Sequence, residues 1–287
     1  MPLKTSAKKQ AQKTVRVGHS PDPDDAFMFY ALAKGKVPLD GFKIKHVIED
    51  IQSLNQRALT KDLEVTAISA AVYPMVADDY WILSCGASVG RNYGPIVVAE
   101  KKLSEKDLKG KRIAVPGLQT TAYLLLKIFL GDFEPVVMDF AAIIGAVKRK
   151  EVDAGLIIHE GQLNYASFGL AKCMDLGESW FKKFSLPIPL GLDVVRKDMG
   201  LPFAKKLNRT LKRSIAYARD NHDEALVYAL KFGRGIPAGT ASKFVGMYVN
   251  EDTLDLGEEG KAALEKLFKS GAERGLFSDP GLISVID

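Results

Sequence analysis

The chain has 287 residues, 47% of them hydrophobic and 26% charged, enough apolar material for one large domain or two compact lobes. Its formal charge of +5 is concentrated at one end, because Lys4, Lys8, Lys9 and Lys13 stand in MPLKTSAKKQAQKT without an acid, and 40 basic side chains less those four leave 36 against 35 acidic. A body so nearly neutral offers no footprint for nucleic acid, two distant cysteines form neither a disulfide framework nor a CxxC pair, and no apolar run is long enough to insert in a membrane.

Residues 1–14 read as a disordered basic tail. A secretory signal needs an apolar core of about 7–15 residues after its positive charges, and this stretch has none, so cytoplasmic residence is the default expectation. From there β-rich and helical segments alternate. VRVGHS at 15–20 is a strand, a helix opens at Pro23, and FKIKHVIED at 42–50 is the next strand. A short helix from Ser53 to Lys61, the strand EVTAISA and a helical stretch from Ala70 to Val76 follow, then YWILSCGAS and GPIVVAEK. This is the β-α-β pattern of a mostly parallel sheet.

SEKDLKGKRIAVPG makes a fresh start, a charged turn feeding an apolar strand over Arg112–Val115. Thr120 to Leu130 is a helix stopping at Gly131, EPVVMDF a strand, AAIIGAVKRK a helix ending in cations, and VDAGLIIHE an apolar strand. From Pro187 to Asp198 the chain changes again, and the remainder is mainly helical. The expected organisation is α/β with two lobes: residues 15–99 and 192–287 form lobe 1, with the C-terminal helices returning to it, and 100–191 form lobe 2. Crossings near 98–102 and 188–194 would leave a ligand cleft between the lobes, a preferred place for a small molecule.

Within SPDPDDAF, Asp22 suits a helix N-cap, Pro23 the first helical position, and Asp24 and Asp25 the first turn. The same strand-to-helix turn is also where α/β proteins place ligands. A hard cation is disfavoured, since the glycine and distant glutamate of an EF-hand are missing, and no metal site is expected. His159 closes GLIIHE at the C-terminal end of a strand and is a candidate base near neutral pH; the alternative is a core histidine satisfied by a carbonyl. Glu160 adjoins it, but neighbouring strand residues face opposite ways, so no dyad is assumed. In PGLQTTAYLLLK, Gly117, Thr120 and Thr121 could hold a carboxylate or phosphate, or a threonine could simply cap the helix. GRNYGP reads mainly as a loop, with Arg91 available for a carboxylate. P-loop, HExxH and GxSxG patterns are absent.

Taken in order, SPDPDDAFMFYAL, SLNQRAL, ISAAVYP, GRNYGPIVVAE, IAVPGLQTTAYLLL, GLIIHE, LPIPLG and YVN resemble the 1,4-dihydroxy-6-naphthoate synthases, from about residue 15 to 265. The resemblance implies a type II periplasmic-binding-protein-like fold in a cytoplasmic enzyme of the futalosine route to menaquinone. It implies a carbon–carbon lyase that fragments cyclic dehypoxanthine futalosine, a small carboxylate substrate, without redox or metal cofactor. Carried over residue by residue, it makes His159 the catalytic base, Thr120 and Thr121 ligand-facing hydroxyls, and Ser20, Asn55 and Ser69 polar holders of the sugar-derived part or ring. Asp25 is kept, and Gly191 matches a hinge-side PLG turn. Where the family is expected to read SPCPND, this chain has Asp22 and Asp24, which raises a paralogue acting on a related compound. A solute-binding protein for a small carboxylate and a chorismate dehydratase are the alternatives, and the sequence leaves oligomerisation open.

Overall fold

The computed structural model describes residues 13–39, 41–232 and 235–287. Residues 1–12, most of the expected tail, lie outside the described residues, and Lys13 and Thr14 already belong to the first strand. Twelve strands occur in these segments: β1 (Lys13–His19), β2 (Phe42–Ile48), β3 (Val65–Ser69), β4 (Tyr80–Leu83), β5 (Ser88–Gly90), β6 (Ile96–Ala99), β7 (Arg112–Val115), β8 (Glu134–Val137), β9 (Ala154–Ile157), β10 (Ala171–Asp175), β11 (Ile188–Arg196) and β12 (Val285–Ile286).

They form two sheets. The first has the order β12-β4-β11-β3-β1-β2, with β5 paired to β11, and the second β10-β6-β9-β7-β8. Parallel pairing joins β1 to β2 and β3, and β7 to β8 and β9, as the alternating pattern predicts. Each sheet is nevertheless mixed, because β11 runs antiparallel to β3, β4 and β5, and β6 antiparallel to β9 and β10.

Those two strands also move the lobe boundaries. Since β6 pairs within the second sheet and β11 within the first, the chain crosses between the sheets over 91–95 and 185–187, earlier than the expected 98–102 and 188–194. The first crossing is tight. A β carbon on Gly177 would lie 2.0 Å from the Tyr93 carbonyl, so only glycine lets the helix Leu176–Phe184 meet that loop.

Local chemistry sets the helix starts. Asp50 Oδ1 accepts from the N–H groups of Gln52 and Ser53, so that helix runs Ile51–Leu59, two residues ahead of the expected start at Ser53. Thr120 caps Thr121–Phe129 by accepting from Tyr123 N–H at 3.2 Å, a cap worth about 1 kcal/mol. The long helix Leu201–Asp220 buries Ala204, Leu207, Leu211, Ile215 and Ala218 on one stripe. That stripe packs with Val15, Val17, Phe27 and Val195 of the first sheet's side. The helix Gly257–Ala272 brings Leu264, Leu267 and Phe268 into a core shared by Ile68 and Val194 of the first sheet and Val97 and Val115 of the second. The carboxyl ends of β1, β3 and β7 lead into the turns where the candidate side chains stand, the end at which open α/β sheets bind ligands.

Candidate active site

A cavity between the two sheets holds about 730 Å³ of space, its open mouth included. On the first-sheet side, β1 ends at His19 and the chain turns through Ser20 into the helix Pro23–Met28. Asp22 has the extended backbone of an N-cap, but its carboxylate makes no capping bond and instead accepts from Ser20 Oγ at 3.1 Å. Asp25 fixes the turn, its Oδ2 accepting from Ser20 N–H at 2.6 Å. Asp24 and Asp25, in the first turn of that helix, are both buried.

Burial raises the Asp25 carboxyl to about 6, with the Ser20 N–H opposing the shift. Burial holds Asp24 well above the ordinary value, and the charges of Asp25 and Asp22 add to this. Deeper in the same wall, Asn55 is fully buried and clasps Ser69, accepting from its N–H at 2.8 Å and donating to its Oγ at 3.0 Å. Asp193 of β11 is also buried, with Oδ2 lacking a hydrogen-bond partner, and burial followed by the Asp25 charge keeps its pKa well raised. Gly86, at φ +85°, leaves room for it, since a β carbon there would fall 2.1 Å from Asp193 Oδ2.

The second-sheet side is built differently. Thr120 Oγ1 donates to Gly117 O at 2.9 Å, and Thr121 Oγ1 donates to Leu190 O at 2.6 Å while accepting from Ala71 N–H at 3.1 Å. Thr121 thus ties the helix it begins to both elements of the first sheet's wall. His159 lies beyond the end of β9 and is buried. Its Nδ1 accepts from Gly161 N–H at 3.0 Å and its Nε2 lies 3.2 Å from Phe140 O, which together describe the Nε2–H tautomer. Tyr248, from the helix Ala238–Tyr248, closes the top by donating to Gln162 Oε1 at 2.9 Å.

Of the residues singled out in the sequence, Ser20, Asp25, Ser69, Thr120, Thr121 and Gly191 line this one cavity. Asn55 reaches it through Ser69. His159 does not line it, although its neighbour Ile158 does. Gly191 is a residue of β11, paired with Ser69 and Ser88, rather than part of a turn; a β carbon there would make ordinary contact at 3.6 Å with Ser88, so the protein's own packing does not demand glycine.

Two sequence readings fall away from the cavity. Arg91 pairs with Asp252 at 2.7 Å and Glu259 at 2.7 Å and is not one of its lining residues. Of the two free cysteines, Cys85 is buried and Cys173 half-buried. Among the described residues there is no cluster of three acids, histidines or cysteines able to hold a metal. Sequence reasoning missed Tyr248, Phe244 and Ser88, which line the cavity, and the buried Asp193 behind it; a lone acid inside the apolar run LGLDVV was the one available signal for the last.

A cleft between two mixed α/β sheets, with polar turns at the strand ends and a helical roof, defines a two-lobed protein of the periplasmic-binding-protein type. The alkanesulfonate-binding protein SsuA of Xanthomonas axonopodis superposes with TM-score 0.70 at 14% identity, over 96% of this chain and 98% of that one, a likeness of fold alone. A protein from Archaeoglobus fulgidus solved by crystallography is far nearer, with TM-score 0.89 and 50% identity over 92% of this chain and 98% of that one. The profile of the menaquinone-biosynthesis family matches residues 15–273. The 1,4-dihydroxy-6-naphthoate synthase of Thermus thermophilus is 40% identical over 264 residues, 92% of this chain and 96% of the relative. The synthase of that name from Streptomyces coelicolor is 38% identical over 269 residues, 92% and 94% of the two chains. The chain belongs to the menaquinone-biosynthesis family.

Proposed function

We propose that this protein is a 1,4-dihydroxy-6-naphthoate synthase, a carbon–carbon lyase that fragments cyclic dehypoxanthine futalosine in the cytoplasm without a redox or metal cofactor. The observation that carries this reading is the match to two synthases along nearly the whole chain, both sheets and the roof included, at 38% and 40% identity. The cavity supports it. Its walls combine apolar surface from Ile51, Ile68, Leu190 and Phe244, suited to a ring system, with the hydroxyls of Ser20 and Ser69, suited to a sugar-derived part.

In this proposal His159 starts the reaction by removing a substrate proton. The Nε2–H bond toward Phe140 O orients the ring and leaves Nδ1 as the basic nitrogen, which exchanges the Gly161 N–H for the substrate proton when the 158–162 segment adjusts around the ligand. Gain of an aromatic ring drives the fragmentation. The Thr120 helix start and its neighbouring N–H groups face the substrate carboxylate, and lobe closure about the 91–95 and 185–187 crossings excludes water.

Incubating the purified protein with cyclic dehypoxanthine futalosine tests the reading. The naphthoate chromophore should develop over many turnovers without added metal or redox cofactor; a protein that binds the compound and leaves it intact refutes the assignment.

A further inference from the structure

One wall of the cavity ends in a carboxyl group that the described protein leaves partly unmatched. Asp24 is 8% exposed, lines the cavity, and its Oδ1 is buried without a hydrogen-bond partner. The groups facing it are acidic or neutral. Asp25 follows it in the same helix, Asp22 precedes it in the turn, and the Tyr248 phenol approaches from the roof with its O–H already given to Gln162. Asp193, itself buried, feels the Asp25 charge. The Asp25 carboxylate has a donor of its own in the Ser20 N–H, so the negative charge of this cluster is best held there. Among the described residues no lysine or arginine pairs with Asp24. A buried carboxyl without a cation is stable as the neutral acid, which carries one O–H donor.

We propose that Asp24 is a specificity-determining residue, its carboxyl O–H donating a hydrogen bond to an uncharged oxygen, a carbonyl or hydroxyl, of the bound substrate. Asp22 and Asp25 repel a carboxylate placed at the same point, so the substrate's own carboxylate is directed to the opposite wall, where Thr120 begins its helix. The inference rests on the synthase reading only for the identity of the substrate; the protonation of Asp24 belongs to the free protein.

Two measurements test it. Carboxyl carbon NMR of the free protein, with the Asp24 resonance assigned by its loss in D24N, should show a protonated Asp24 at pH 7; an ionised Asp24 there overturns the proposal whatever the protein's activity. In steady-state turnover of cyclic dehypoxanthine futalosine, D24A should raise KM about tenfold with kcat changed far less, as loss of one substrate hydrogen bond predicts. D24N, whose amide still donates, should regain most of that loss, and its KM should stay level at alkaline pH, where ionisation of Asp24 should raise the KM of the wild type. A D24N enzyme as impaired as D24A, or a loss confined to kcat, overturns it. If the wild type shows no turnover, the synthase reading fails, and the NMR titration still decides the state of Asp24.

Discussion

The two walls of the cavity use their polar groups in opposite ways. On the second-sheet wall the hydroxyls of Thr120 and Thr121 are engaged with backbone groups, as are both nitrogens of His159 behind the lining. On the first-sheet wall, Asp24 Oδ1 and Asp193 Oδ2 have no partner and Asp25 is pushed up to about 6. The satisfied wall is preformed, with the His159 ring behind it held in one tautomer. The unsatisfied wall is strained electrostatically until something donates to it or accepts from it, which is the property of a recognition surface.

The largest effect that could break this contrast lies on the satisfied wall. His159→Ala should lower kcat by about 10²–10⁴-fold while KM changes little, read by steady-state formation of the naphthoate; activity at the wild-type level would rule out His159 as the base. Next comes the clasp behind the recognition wall. Asn55→Ala strands the buried Ser69 N–H and opens a void, and urea unfolding should show a loss of about 2–4 kcal/mol.

Asp193→Asn sharpens the comparison with the opposite sign. The folded pKa of Asp193 lies above its ordinary value of 3.8, so its contribution to stability is full below that pH and is lost as pH rises through the folded pKa. The amide should therefore stabilise the protein at pH 8 by about 1–2 kcal/mol and have little effect near pH 4, compared by thermal unfolding at the two pH values. The smallest effect belongs to the roof. Tyr248→Phe removes the bond to Gln162 that joins the two sides, about 1 kcal/mol, and should raise KM a few-fold while leaving the melting temperature nearly unchanged.

Much of this arrangement was legible in the sequence because its signals are local. Pro23, the capping threonine before TAYLLL and the apolar strands each declare themselves within a few residues, and Ser20, Asp25, Ser69, Thr120, Thr121 and Gly191 do meet at one cavity. What escaped depends on distant partners. AKCMDLGESWFKKF gives no clean period, so β10 and the helix Leu176–Phe184 were not anticipated; pairing with β6 and the Asp175 cap define them. The burial of Asp193 follows from strands on both sides of β11, and the crossings moved because β6 and β11 chose partners far away in sequence. His159 was readable as a histidine past a strand end, but its two backbone partners come from Phe140 and Gly161, which no spacing rule identifies.

The most direct test of the account is a crystal structure with the reaction product, 1,4-dihydroxy-6-naphthoate, bound. The account predicts the naphthoate between the two walls, an uncharged oxygen against the Asp24 carboxyl, its carboxylate toward the Thr120 helix start, and His159 Nδ1 released from Gly161 and turned toward the ligand. A product lodged outside this cavity, or one bound within it while His159 keeps both backbone bonds, would contradict it.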